Sequence, residues 1–508
     1  MPLPSLPRSP RLLHLALAAV FSLVLAGCLQ TPSTPSTARS KDLAATPTAA
    51  PVPIVFIHGE NSSAAQWQTM LWRFESQGWP RERLFAASLP LPLLPPTQRA
   101  EERINVAGAP GMQITSSAPP PYGYTDADGL RDFIAQQVQQ ALAATGAHRV
   151  AVVAQGRSGL ALRDYVRQGG GQYLSHAVTA GTPHAGAWKT EGLYEHHDFA
   201  PTGPYLRGLN QQPPAQPDGL LRWLSVGTTA MGPYAMPPGN WTLGEAVAAR
   251  QTPATFRLAG APHVELAQAS YPAAASSDAA FEALFPFLSG KPPAAPAAAA
   301  PGQNSRWISA EAQPQLSGTV VGRGHIPSDP ASGHFLSNLP LAGASVQVFA
   351  VHAVSGQRQG AAVYATTTGA DGRWGPFSAQ PGIGYEFEVG APGYDLVHIY
   401  RAPFPRSSAL VQLQAERLFV WGIGSDDRGS LTLLRALRGD LEDMQAPVSF
   451  NGQQAHSNPG GPLLRQQLKL FSESDAIQPQ RLVRGQEAVV GHNWSLDAAR
   501  MNVLELHE

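Results

Sequence analysis

The segment Ala154-Gln155-Gly156-Arg157-Ser158-Gly159-Leu160 joins an apolar run to a helical one, so it lies at a strand-to-helix turn. Small residues at such a turn let strand and helix approach closely, and a hydroxyl held there is presented for attack on a carbonyl. Ser158 is the one hydroxyl in this segment, and no Gly-x-Ser-x-Gly occurs anywhere in the chain. A serine nucleophile also needs a base within hydrogen-bond reach and a carboxylate that orients the base. One histidine that could serve stands in His263-Val264-Glu265. The acid is harder to find. The run 224–226 continues Gly227-Thr228-Thr229-Ala230-Met231-Gly232 without an Asp or Glu, leaving Asp218 before it and Glu245 well after it. Glu195-His196-His197-Asp198 gathers ligand-type side chains, but adjacent residues point in different directions and no spaced partner motif accompanies them. They read as a solvated loop, and no metal or cofactor is expected.

The elements that must position these residues alternate between strand and helix. The run 53–57 is continuously apolar and ends at His58-Gly59, as expected for a buried parallel strand. Within 128–144, Leu130, Phe133, Ile134, Val138 and Leu142 recur at helical spacing, and the apolar run 149–154 follows. Helix resumes over 160–166, with strands expected at 176–179, 221–226 and 255–258 and a closing helix over 278–288. Strand, crossover helix and strand in alternation imply an α/β fold with a mostly parallel sheet, here spanning 52–292. Trp67, Trp72 and Trp79 are expected to pack in its core or cap. The Pro-rich span 89–96 and the run 118–124 are expected as loops over the sheet's carboxyl edge.

A Pro/Ala stretch, 293–314, reads as a linker. Beyond it short apolar runs at 316–321, 344–351, 361–367 and 385–389 are separated by turn residues such as Ala370-Asp371-Gly372 and Pro381-Gly382. That is antiparallel β structure: a sandwich-like domain over 315–415 and a second β-rich one over 416–508. Asp371-Gly372 is read as a hairpin turn rather than a calcium loop.

Taken together, Phe56-Ile57-His58-Gly59, the 154–160 turn, Gly181-Thr182-Pro183-His184-Ala185-Gly186 and His263 before the last helix resemble α/β hydrolases of the lipase and esterase kind. The resemblance covers roughly 52–292. Thr368 to Phe377 and Ser407-Ser408 resemble the β domains appended to secreted bacterial hydrolases. It implies an α/β-hydrolase fold with His58, Gly59, Glu60 and Arg157 on the oxyanion and pocket side, and His263 as the retained base. Placed on the family's His-Ser-x-Gly-Gly-Leu turn, Gln155 stands where the histidine lies and Gly156 where the nucleophile lies. Loss of both nucleophile and acid implies a degenerate hydrolase that binds an ester or acyl ligand, or a protein partner. Two alternatives stay open: an active esterase using Ser158 and His263, with Asp218 or Glu245 as acid, and a structural or adhesive envelope component.

The amino terminus supplies a location. Arg8 and Arg11 precede an apolar run over 15–25, and Leu25-Ala26-Gly27-Cys28 resembles the bacterial lipobox. Residues 1–27 are therefore read as a signal peptide. Cys28, the only cysteine, is read as the lipidated residue and 28–51 as a flexible tether. Acyl chains on Cys28 would hold the chain on a membrane, and Leu29 in place of aspartate points to the outer membrane. A net charge of -1 excludes the basic footprint of a nucleic-acid binder.

Overall fold

In the computed structural model, the described residues are 50–59, 62–90, 104–105, 113–114, 127–186, 203–211, 214, 219–228, 256–267, 269–294, 300–322, 338–416, 430–437, 441, 447–455, 467–471, 477–494 and 501–508. Residues Pro51–Glu508 form one compact unit.

Its first half is built on six parallel strands: β1 (Ile54–Ile57), β2 (Leu84–Ala87), β5 (Val150–Gln155), β6 (Leu174–Ala180), β7 (Arg222–Thr228) and β8 (His263–Leu266). A two-stranded piece, β3 (Ile104–Asn105) with β4 (Gln113–Ile114), lies outside this sheet. The order is β2-β1-β5-β6-β7-β8, and every neighbouring pair is parallel. The chain thus builds one strand outward from β1, then crosses to its other side and continues.

Both faces are covered, which is why these strands are apolar throughout rather than alternating. Val150, Val152 and Ala154 face Leu130, Ile134, Val138 and Ala141 of α2 (Ala127–Thr145) and Ala161 and Leu162 of α3 (Arg157–Arg167). Ala151 and Val153 face Met70 and Phe74 of α1 (Gln68–Ser76) and Phe281, Leu284 and Phe285 of a later helix. Between α3 and that helix come α4 (Pro204–Asn210) and the single turn α5 (Ala273–Ser276), and the closing helix itself is α6 (Asp278–Ser289). Ser277 caps α6 by accepting from the Ala280 amide, and Gly290 ends it with a φ of 73°.

The strand expected over 255–258 is not formed. Residues 256–258 lie outside any strand, and the last strand is β8, which pairs with β7 through Ser225 and His263. A turn through Gly260, whose φ is 78°, instead lays Leu258 against the α2–α3 face of the sheet. Its apolar character is used for covering rather than pairing.

The second half carries β9 (Gln315–Gly322), β10 (Ser345–Val351), β11 (Tyr364–Thr367), β12 (Arg373–Ser378), β13 (Gly384–Gly390), β14 (Val397–Arg401) and β15 (Ser408–Ala415). It continues with β16 (Ser430–Ala436), β17 (Val448–Phe450), β18 (Gln453–Gln454), β19 (Gln467–Phe471), β20 (Pro479–Arg484), β21 (Glu487–His492) and β22 (Met501–Leu506). Strands from both sides of residue 416 share the seven-stranded sheet β11-β10-β13-β14-β22-β16-β19. One face of it packs on the sheet β12-β9-β15 through Phe387, Val397, Ile399 and Val503 against Trp374, Phe377 and Leu413. Its other face packs on β18-β17-β20-β21 through Tyr400, Leu434 and Leu504 against Phe450, Leu482 and Val489. The expectation of antiparallel pairing fails at three places, because β14–β22, β16–β22 and β9–β15 are parallel. Parallel pairs need long crossovers, which a reading of successive hairpins does not anticipate.

The Pro/Ala stretch enters packed chain, with Trp307 in the first core and Ile308 in the β core. Trp67 and Trp79 lie in the first core, whereas Trp72 belongs to the β core.

Candidate functional site

In open α/β sheets the binding crevice lies outside the carboxyl ends of the strands, at the point where strand order reverses. Here that point lies between β1 and β5, and it is where His58-Gly59 and Gln155-Gly156-Arg157 meet. Gly156 is the single residue between β5 and α3, with φ 59° and ψ −131°, a conformation that glycine adopts far more readily than other residues. The bend is as tight as the sequence predicts. Gly159 allows the close approach behind it, since a Cβ there would stand 2.0 Å from Thr182 Oγ1. This is an α/β-hydrolase sheet.

Within the β half, residues 312–418 match the family model described as the lipase C-terminal domain. The fold shares features with solved hydrolases at low identity. A Bacillus licheniformis lipase in propeptide form is 13% identical over 89% of this chain and 95% of that one, with a TM-score of 0.33. Its mature form is 14% identical over 49% and 96%, with a TM-score of 0.31. A Legionella pneumophila phospholipase is 10% identical over 72% and 93%, with a TM-score of 0.27. No curated protein matches the sequence.

At the α/β-hydrolase turn itself, the residue at the apex carries no side chain. Ser158, in the first turn of α3, is fully buried and donates to the His58 carbonyl at 2.6 Å. That bond ties α3 to the loop after β1. His263 lies elsewhere. It is the first residue of β8, at the level of Ser225 and short of the carboxyl edge. Its Nδ1 lies 2.9 Å from Ser225 Oγ and its Nε2 3.4 Å from Glu265 Oε2. The structure therefore does not bring Ser158 and His263 together.

Ser225, His263 and Glu265 do form a hydroxyl–imidazole–carboxylate series, which the sequence reading did not contain. It lacks access. Ser225 lies inside β7, fully buried, with its hydroxyl also 3.2 Å from the Pro262 carbonyl. The His263 ring covers the Cα of Gly227, where a Cβ would stand 2.9 Å from Cε1. Burial, the largest effect, lowers the His263 pKa against the hydrogen bond it donates to Glu265. Among the described residues Ser225 is thus a buried hydroxyl inside a strand, bonded to His263 and to the Pro262 carbonyl.

What stands across the carboxyl end of β5 is Tyr271. A Cβ on Gly59, after β1, would lie 2.7 Å from its hydroxyl oxygen, and one on Gly181, after β6, would lie 2.9 Å from its ring. The side chain thus reaches from one neighbour of β5 to the other, and it is 2% exposed. Amides close the same space. Gln66 Nε2 donates to Gln155 Oε1 at 2.6 Å, Gln155 Nε2 to the Tyr271 carbonyl at 3.4 Å, and Ser62 to Gln66 Oε1 at 2.5 Å. The glutamines are neither nucleophile nor base, and Tyr271 and Ser62 stand in no motif that the sequence reading used.

Of the pocket-side residues, His58, Gly59 and Arg157 are described. Arg157 opens α3 and is buried. With its proton on Nδ1, His58 donates to the Gly59 carbonyl at 2.8 Å, and its Nε2 accepts the Leu89 amide at 2.9 Å. Glu60, Asp218, Glu245, the 195–198 cluster, Cys28, the run 118–124 and most of the span 89–96 lie outside the described residues.

An acid dependence follows. Burial pushes the His58 pKa down to about 4, against the hydrogen bond to Gly59, and takes that of buried His507 to about 3. A folded value below the unfolded one means that stability is full above pH 6.5 and is lost as pH falls through the window, by roughly 3 kcal/mol for His58. Glu487, raised to about 8 by burial, acts in the opposite sense by gaining stability toward acid. His176 and His184 are also lowered by burial, so the histidines prevail. The urea midpoint is expected to fall between pH 7.5 and pH 5; a constant or rising midpoint contradicts the neutral-histidine assignment.

Proposed function

We propose that this protein is a cell-envelope lipoprotein, held by a lipidated Cys28, whose lipase-type domain no longer hydrolyses esters and serves to bind a partner. The observation that carries the reading is Gly156 at the apex between β5 and α3, with Tyr271 lying over the end of β5. Both remaining candidates are engaged: Ser158 with the His58 carbonyl, His263 with Ser225 and Glu265. Without nucleophile and base, a serine hydrolase retains only the ~10³ to 10⁴-fold contribution of binding and the oxyanion hole. A crevice filled by a tyrosine and two glutamines also disfavours an acyl chain there and favours recognition by an outer surface.

The test uses the purified chain with p-nitrophenyl acyl esters and a fluorophosphonate probe. Hydrolysis at the blank rate and no label on Ser158 are expected. Turnover well above blank that disappears in Ser158→Ala would sink the reading. Gly156→Ser is expected to add less than about tenfold to the blank rate, because a hydroxyl at the apex still lacks a base in reach. It should also lower stability by about 1–3 kcal/mol through the left-handed φ. For the anchor, Cys28→Ala should move the protein from the membrane fraction to the soluble one; retention on the membrane contradicts lipidation as the anchor.

A further inference from the structure

On the second face of the seven-stranded sheet, three ligand-type side chains converge that the sequence reading passed over. Glu386 and Glu388 are two residues apart on β13, hence on one face, and His398 on β14 is the register partner of Glu388. One ligand atom from each lies within 4.8 Å of the others. Glu386 and His398 are buried.

Their spacing suits a small cation. His398 Nδ1 is 2.7 Å from Glu386 Oε1 and 3.8 Å from Glu388 Oε2. A tetrahedral ion with nitrogen and oxygen bonds of about 2.0–2.1 Å has ligand–ligand edges of about 3.3 Å, midway between these separations. One nitrogen already occupies the centre. Arg358 Nη2 lies 2.5 Å from Glu386 Oε1, 2.6 Å from Glu388 Oε2 and 3.4 Å from His398 Nδ1. Arg358 Nη2 thus contacts all three ligand atoms, while its Nε also donates to Glu386 at 3.0 and 3.2 Å.

The charge count leaves room for more. Two carboxylates and one guanidinium sum to −1 when His398 is neutral, whereas a divalent ion in place of the guanidinium brings the three ligands to zero. Arg358 also has a way out. It follows β10, its side chain is a quarter exposed, and its guanidinium lies between the Phe349 ring, 3.6 Å from the centroid, and Trp494 at 4.9 Å. The ligands themselves are held. Trp494 stacks on the His398 ring at 4.1 Å, and its Nε1 donates to the Tyr400 hydroxyl at 2.9 Å. Supports of this kind fix ligand orientation at metal sites.

We propose that Glu386, Glu388 and His398 form a binding site for one divalent transition-metal ion of the zinc class, which the Arg358 guanidinium fills in this structure and yields to the ion. The nitrogen and carboxylate donors match zinc and its tetrahedral substitute cobalt rather than calcium, which takes six to eight oxygens.

Calorimetric titration of the full chain, purified without a polyhistidine tag, with Zn²⁺ tests this, with Co²⁺ absorption reporting the coordination geometry. One equivalent is expected to bind to the unaltered protein, at least tenfold more tightly to Arg358→Gln, and at least tenfold more weakly to Glu388→Gln and His398→Gln. Circular dichroism of each variant without ion separates lost folding from lost ligands. Binding unaffected by His398→Gln and Glu388→Gln, no binding to any form, or binding to Arg358→Gln alone would overturn the proposal, the last by making Arg358 the permanent occupant.

Discussion

Arg73→Ala is expected to lower the free energy of unfolding by about 3–5 kcal/mol, the usual cost of removing one partner from a buried ion pair. Arg73 lies on α1 and its side chain is fully buried. It donates to Asp278 at 2.6 Å, Ser305 at 3.0 Å, Thr69 at 3.2 Å and the Ser276 carbonyl at 2.8 Å, and it pairs with Glu508. One guanidinium therefore joins helices α1 and α6, Ser305 of the Pro/Ala stretch and the second residue after β22. Alanine would strand the Glu508 carboxylate beside Glu487, whose pKa Glu508 already raises. The double change Arg73→Met, Glu508→Gln removes both charges and should recover part of the loss. Equilibrium unfolding in urea measures it, and a loss under about 1 kcal/mol for Arg73→Ala contradicts the assigned role.

Trp72→Ala should cost a similar amount, about 3–5 kcal/mol, as large-to-small changes in a core do. The α1 residue Trp72 inserts into the β core, edge-on to Phe404 at 6.4 Å and to His507 at 5.4 Å, and donates to the Ser407 carbonyl at 2.8 Å. Gln68, one turn earlier, accepts from Ser408 at 3.0 Å and lies 3.2 Å from His507 Nδ1. Helix α1 thus has one face in each core. Trp72→Phe keeps most of the ring contact and loses one hydrogen bond, so its cost should be nearer 1–2 kcal/mol. If both variants unfold at the wild-type midpoint, the tryptophan does not hold the two halves together. The same contacts predict that a fragment ending at Pro292 exposes Trp72 and fails to fold cooperatively.

These effects were not legible in the sequence. Trp67, Trp72 and Trp79 read alike as packing residues, yet the first and third join the hydrolase core and Trp72 joins a core some 300 residues downstream. Nothing local distinguishes them, because which core a helix face meets depends on chain brought back from far away. Glu386, Glu388 and His398 show the same limit: two residues on one strand are a visible pair, but their histidine is set by β13–β14 register and their arginine by the loop after β10.

The sequence by itself determined the alternation of strands and helices from 53 to 288, the tight turn at Gly156 and the absence of a serine there, since periodicity, chain stiffness and residue identity are local. Tertiary structure alone decided that Ser158 bonds to the His58 carbonyl, that His263 sits on β8 beside Ser225, and that Tyr271 covers the end of β5. Those contacts join residues 38 to 212 positions apart, and only the order and register of the parallel strands determine which of them meet.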